Sequence, residues 1–139
     1  MSQDSTFRPA GLFAGLAPED IERITRAGQA VSFAAEQPVF EAGDPGDAMY
    51  VVTAGEARVD VGGRFHILKT GDVFGEMALL APGKRIATVR AVSDLECLRI
   101  PSDSFLEFLR TNPDVAILVM KQLVIRLREV EQRIDAWMA

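Results

Sequence analysis

Glu76 and Arg85 are the two side chains whose types and spacing point most directly to chemistry, nine positions apart across a turn marked by glycine and proline. Gly75 lets the backbone turn closely, and the run Glu76 to Leu80 is long enough for about one helical turn, whose free amides make an anion site. Pro82-Gly83 ends that turn and returns the chain to an extended segment. There Arg85 shares parity with Ala87, Val89 and Ala91, the small or apolar side of an alternating strand. A guanidinium on an inward face is costly unless an anion satisfies it. Ionised Glu76 can only accept hydrogen bonds, which suits a sugar hydroxyl. A phosphate joined to a ribose hydroxyl satisfies amides, arginine and carboxylate together. The competing arrangement is an internal salt bridge between Glu76 and Arg85.

The elements that must position this pair are strands. From about Ala30 to Ile100 the apolar period is two, with candidate strands at 30–34, 38–41, 48–53, 56–61, 85–91 and 95–100. Ala57, Val59 and Val61 fall on one face, and Gly62-Gly63 makes a tight hairpin turn. On the return strand the apolar pair Phe65 and Ile67 is expected inward, with Arg64 and His66 outward. Asp44-Pro45-Gly46-Asp47 and Lys69-Thr70-Gly71-Asp72 have turn composition. Many short strands separated by glycine-rich turns predict a mostly β fold, a jelly-roll barrel with flanking helices.

Helical patterns flank the strands. Pro18-Glu19-Asp20 opens a short N-terminal helix, with proline and acids in its first turn. Ser102 is placed to cap a short helix running to about Arg110. Asn112-Pro113 then opens a long helix to about Trp137. Along it Ala116, Met120, Leu123, Leu127, Val130, Ile134 and Trp137 recur at alternating spacings of four and three, a heptad seam. The seam either packs on its own barrel or pairs with a second copy. Residues 1–11 form an expected flexible tail and 12–139 one domain, with the barrel over about 30–100 and the C-terminal helices over about 102–137.

Bulk composition narrows the function classes. The 139 residues suit a single domain, and 48% hydrophobic with 25% charged residues is the balance of a globular chain. A formal net charge of −5, with no basic cluster beyond Arg126 and Arg128, disfavours direct nucleic-acid binding. One cysteine, Cys97, excludes an intrachain disulfide framework, and its expected place is the core. A single histidine, His66, cannot supply the ligand set of a metal-dependent β-barrel enzyme, so no metal site and no catalysis are expected. No apolar run approaches the roughly 20 residues of a membrane span. Met1-Ser2-Gln3-Asp4 lacks the basic-then-apolar order of a signal peptide, so a cytoplasmic location is expected.

The run from Phe74 to Ala91, Phe74-Gly75-Glu76-Met77-Ala78 followed by Arg85-Ile86-Ala87, closely resembles the phosphate-binding cassette of cyclic-nucleotide-binding domains. That family includes the ligand domains of protein kinase A regulatory subunits, cyclic-nucleotide-gated channels and the catabolite activator protein. The glycine-punctuated stretch from Glu41 to Gly55 is similar to the family's preceding strand pair, and the resemblance spans nearly the whole chain. It implies a regulatory domain for signal transduction, whose ligand is a cyclic nucleotide and which needs no cofactor. Glu76 would bind the ribose 2′-hydroxyl and Arg85 the cyclic phosphate, with Phe74, Gly75, Met77, Ala78, Ile86 and Ala87 around them. Where relatives carry a threonine that helps hold guanine, this chain has Ile86, which cannot donate that hydrogen bond, so cyclic AMP is the expected ligand and cyclic GMP the alternative. The resemblance also makes Arg126, Val130 and Glu131 lid candidates on the long helix, and the helix seam a homodimer contact. The alternative function is an interaction or dimerisation module of the same fold whose pocket binds no nucleotide.

Overall fold

The computed structural model describes residues 13–76 and 83–138, with the side chains at 126, 129–131 and 133–138 outside that description. In chain order the elements are helix α1 (Pro18–Arg26), strands β1 (Gln29–Phe33), β2 (Pro38–Phe40), β3 (Ala48–Ala54), β4 (Ala57–Val61), β5 (Arg64–Leu68), β6 (Val73–Phe74), β7 (Thr88–Ala91) and β8 (Leu95–Pro101), then helices α2 (Ser102–Thr111) and α3 (Pro113–Met138). The strands pair antiparallel into two four-stranded sheets, ordered β1-β8-β3-β6 and β2-β7-β4-β5. This is the expected mostly β jelly roll with flanking helices, but the barrel of the sequence reading is corrected. Among the described residues the two sheets are not joined edge to edge into a closed ring.

Strand β3 explains the layering. Its sequence Ala48-Met49-Tyr50-Val51-Val52 is buried at every position, so both of its faces are covered. Met49 and Val51 turn toward the helices and join Phe13, Ile24, Ile100, Phe105, Val115 and Val119. Ala48, Tyr50 and Val52 turn the other way and join Ala57, Val59, Phe74, Val89 and Cys97 between the sheets. The first sheet is thus a middle layer, with helices on one side and the second sheet on the other.

The hairpin β4–β5 corrects a second expectation. Gly62 and Gly63 both have positive φ, 55° and 79°, the requirement of a two-residue primed turn that matches strand twist. Such a turn fixes the register, pairing Val61 with Arg64, Val59 with His66 and Ala57 with Leu68. His66 and Leu68 therefore share the inner side with Val59, while Phe65 and Ile67 lie on the outer side with Arg58 and Asp60. Turn geometry prevails over the apolar character of Phe65, which is 57% exposed and stacks under the Arg58 guanidinium at 4.0 Å. Val61, expected inward, is 42% exposed near the hairpin tip.

The helix boundaries follow their proline signals closely. Pro18 and Pro113 each open a helix. Ser102 does not act as the cap: Pro101 holds that position, and the Ser102 Oγ is buried without a partner among the described residues. The Asn112 side chain donates to the Phe108 carbonyl at 3.0 Å and closes the end of α2, while its own carbonyl accepts from Val115 and Ala116 to start α3. On α3 the residues that enter the chain's own core are Val115 and Val119, one position before the seam residues Ala116 and Met120. Met120 and Leu127 of that seam are 54% and 58% exposed.

Candidate functional site

Arg85 sits three residues ahead of β7, not on the strand as the sequence reading has it. Its backbone is clipped to the Gly43–Gly46 turn instead. Arg85 N–H donates to the Asp44 carbonyl at 2.7 Å, Gly43 N–H donates to the Arg85 carbonyl at 2.8 Å, and Gly46 N–H reaches the Gly83 carbonyl at 3.1 Å. The expected parity nevertheless holds: Arg85 is 8% exposed, Ile86 is 65% exposed, and Val89 and Ala91 are buried.

The guanidinium lies over the Phe40 ring at 4.0 Å, beside an aromatic group in which Tyr50 and Phe74 stack at 5.2 Å. Its Nη2 donates to the Ala48 carbonyl at 2.6 Å and its Nη1 to the Gly75 carbonyl at 3.0 Å. Its Nε is buried with no partner among the described residues. Burial pushes the Arg85 pKa down, and Tyr50, Asp47 and Asp44 oppose that shift while Arg99 adds to it. The group is always charged in proteins. Among the described residues its hydrogen bonds go to two neutral carbonyls, with Tyr50, Asp47 and Asp44 supplying favourable charge around it, and a guanidinium so placed can hold an anion.

Gly75 is a position where only glycine fits. Its φ is +78°, and a Cβ there would stand 2.8 Å from the Arg85 Nη1 and 3.3 Å from the Ala48 carbonyl oxygen. Arg85 opens onto a cavity of about 320 Å³, a size within the usual range of small-molecule sites. Phe74, Gly75, Glu76, Arg85, Ile86 and Ala87 all line it, so the described cassette residues come together on one space. A carboxylate and a buried guanidinium on one cavity can accept a hydroxyl and hold an anion.

Met77 and Ala78, with the expected helical turn through Leu80, lie outside the described residues. So do the side chains of the lid candidates Arg126, Val130 and Glu131, and that of Trp137. Residues missed by sequence reasoning include Phe40, Val59 and Leu68, which form apolar wall, and His66, which also lines the cavity. The signal for His66 was the Gly-Gly turn, since its register turns every second residue of β5 inward. Cys97 is where expected, buried at 1% exposure, and burial pushes its thiol pKa up to about 12. Among the described residues no group of three or more His, Cys, Asp or Glu could hold a metal ion. No helix among them is long and apolar enough to cross a membrane.

A two-sheet jelly roll with an arginine-bearing cassette on an open cavity defines a class, and residues 30–112 match the family model of the cyclic nucleotide-binding domain. The chain belongs to that family. It is 36% identical over 130 residues to the cyclic AMP receptor protein of Thermus thermophilus, covering 89% of this chain and 60% of the relative. It is 36% identical over 107 residues to the cAMP-dependent protein kinase regulatory subunit of Aspergillus fumigatus, covering 75% of this chain and 26% of that one. The crystal structure of the Thermus thermophilus catabolite activator protein superposes with a TM-score of 0.79 at 35% identity, over 93% of this chain and 63% of that one. The N-terminal domain of a Streptomyces coelicolor transcriptional regulator gives a TM-score of 0.79 at 28% identity, over 94% of this chain and 95% of that domain. The chain thus spans about 60% of the receptor and about a quarter of the kinase subunit.

Proposed function

We propose that this domain binds cyclic AMP in the Arg85 cavity and relays binding through its C-terminal helices, with no catalysis of its own. The observation that carries the reading is the buried Arg85 guanidinium, whose Nε has no partner among the described residues and which shares its cavity with Glu76. In this reading the cyclic phosphate takes the arginine and the ribose 2′-hydroxyl meets Glu76. The names of the relatives, a cyclic AMP receptor and a cAMP-dependent kinase subunit, support the choice of nucleotide. Ile86 supports adenine over guanine because it offers no hydrogen bond.

The relay has a short backbone route. Arg85 Nη2 is bonded to the Ala48 carbonyl, and the neighbouring Asp47 carbonyl accepts from the N–H of Ser102, the first residue of α2. A phosphate that draws on the guanidinium therefore acts two backbone residues away from α2. Asn112-Pro113 is the break across which α2 passes movement to α3, since proline there prevents one continuous helix. The exposed stripe Ile117, Met120, Val124 and Leu127 on α3 supports pairing with a second copy.

The test is the affinity of Arg85→Ala for cyclic AMP, measured beside the parent chain. Truncating one partner of a buried charge pair costs about 2–5 kcal/mol, roughly 30- to several-thousand-fold in affinity. The circular dichroism of the variant should remain that of a folded domain. An affinity change under about threefold would overturn the assignment.

A further inference from the structure

Phe40 reaches the cavity through an irregularity in its strand. On the edge strand β2, Pro38 faces Arg90 of β7 and Phe40 faces Val89, so β2 carries an extra residue, a β-bulge. A regular ladder continued from Pro38 would set Phe40 opposite Thr88, on the outer side with Arg58 and Asp60. The bulge turns the ring to the inner side with buried Val89 and puts its centroid 4.0 Å from the Arg85 Cζ. Resting on the reading of the cavity given above, we infer that Phe40 is a positioning residue for Arg85, holding the guanidinium so that its Nε–H is left for the anion.

The contacts that hold the guanidinium differ in kind. The carbonyls of Gly75 and Ala48 accept from Nη1 and Nη2 and each occupies a donor. The ring face attracts the cation electrostatically without occupying a donor. A carboxylate in its place would form the fork-to-fork pair that a phosphate forms, and so would compete with the ligand. The ring instead stabilises a buried cation and leaves both its charge and its remaining donors available. Among those donors is the Nε–H, which is buried without a partner among the described residues. Holding the group in advance matters because ordering a long side chain at the moment of binding costs affinity. The ring is itself held. Tyr50 and Phe74 each stand 5.9 Å from it, and they stack on one another at 5.2 Å. A Cβ at Gly75 would come within 3.5 Å of the Phe40 Cε2 as well as 2.8 Å of the Arg85 Nη1, so ring, arginine and glycine are packed as one unit.

The experiment is the cyclic AMP dissociation constant of the parent chain, Phe40→Leu and Phe40→Tyr, with Arg85→Ala as the reference for a lost anion site. Phe40→Leu keeps an apolar group and removes the ring face, and it should bind about fivefold more weakly, which is about 1 kcal/mol. Phe40→Tyr should recover most of that loss, because the face that carries the attraction returns. A purely space-filling role would not separate the two variants in this order. Phe40→Met, a second apolar replacement without a ring, should match Phe40→Leu and stands in for it if that chain unfolds in urea at markedly lower concentration. Affinity within about twofold of the parent in Phe40→Leu and Phe40→Met, or a Phe40→Tyr as weak as they are, overturns the inference. A large loss in Arg85→Ala would then leave the arginine site standing. Equal affinity in the parent and Arg85→Ala overturns the site and the inference together.

Discussion

The two faces of the β1-β8-β3-β6 sheet are built by the same strands and differ in what lies against them. On the helix side Met49, Val51 and Ile100 meet Phe105, Val115 and Val119, and every member of that cluster is apolar. On the other side Ala48, Tyr50, Val52 and Cys97 meet the second sheet, and there a buried arginine rests on Phe40 beside a cavity. The first face is close-packed and supplies stability. The second holds a cavity and a buried cation, whose burial Tyr50, Asp47 and Asp44 partly offset. The proposed site sits where the core is interrupted, and hydrogen bonds to the backbone carbonyls of Ala48 and Asp47 join Arg85 and Ser102 to the same strand end.

The helix side can be broken by emptying its centre. Phe105 is 1% exposed and its ring stacks near Phe13 at 6.2 Å. Phe105→Ala should lose about 3–5 kcal/mol of stability, read from urea unfolding. A loss below about 1 kcal/mol would mean that this face is not the close-packed one.

The coupling between the faces is the next target. Cutting the chain before Val124 keeps Val115 and Val119, the buried residues of α3 in the core, and removes the distal helix with its exposed Val124, Ile125 and Leu127. Couplings of about 1–3 kcal/mol predict a cyclic AMP affinity weakened roughly 5- to 150-fold. The same truncation should remove any homodimer seen by sedimentation. Unchanged affinity would leave α3 with a dimer role alone.

The smallest effect sharpens the cavity side. Ile86→Thr adds a hydrogen-bonding group at the rim and should improve cyclic GMP binding relative to cyclic AMP by about 0.5–1.5 kcal/mol. An unchanged ratio in competition titrations would assign base choice elsewhere.

Much of the cassette was legible in the sequence because alternation fixes burial. Arg85, Val89 and Ala91 share a parity, and that parity survives even though Arg85 precedes the strand. Both C-terminal helices were legible because Asn112-Pro113 leaves few conformations open. What escaped was set by partners distant in the chain. Strand β6 has only two residues, too few for any period. His66 was placed outward by ranking hydrophobicity, whereas the two positive-φ glycines fix the hairpin register and turn it inward. Phe40 beneath the guanidinium is 45 positions from Arg85, and no local pattern brings the two together. On α3 the heptad seam and the buried pair Val115 and Val119 are adjacent stripes, and partners distant in the chain, Phe13, Ile24 and Met49 as well as Phe105, meet the buried pair.

The central claim is that the interrupted face is a nucleotide site, and its most direct test is calorimetric titration of the unaltered chain with cyclic AMP and, separately, cyclic GMP near neutral pH. The account predicts saturable binding of one cyclic AMP per chain, tighter than that of cyclic GMP. A folded chain that takes up neither nucleotide, by heat or by any rise in thermal stability, would contradict it.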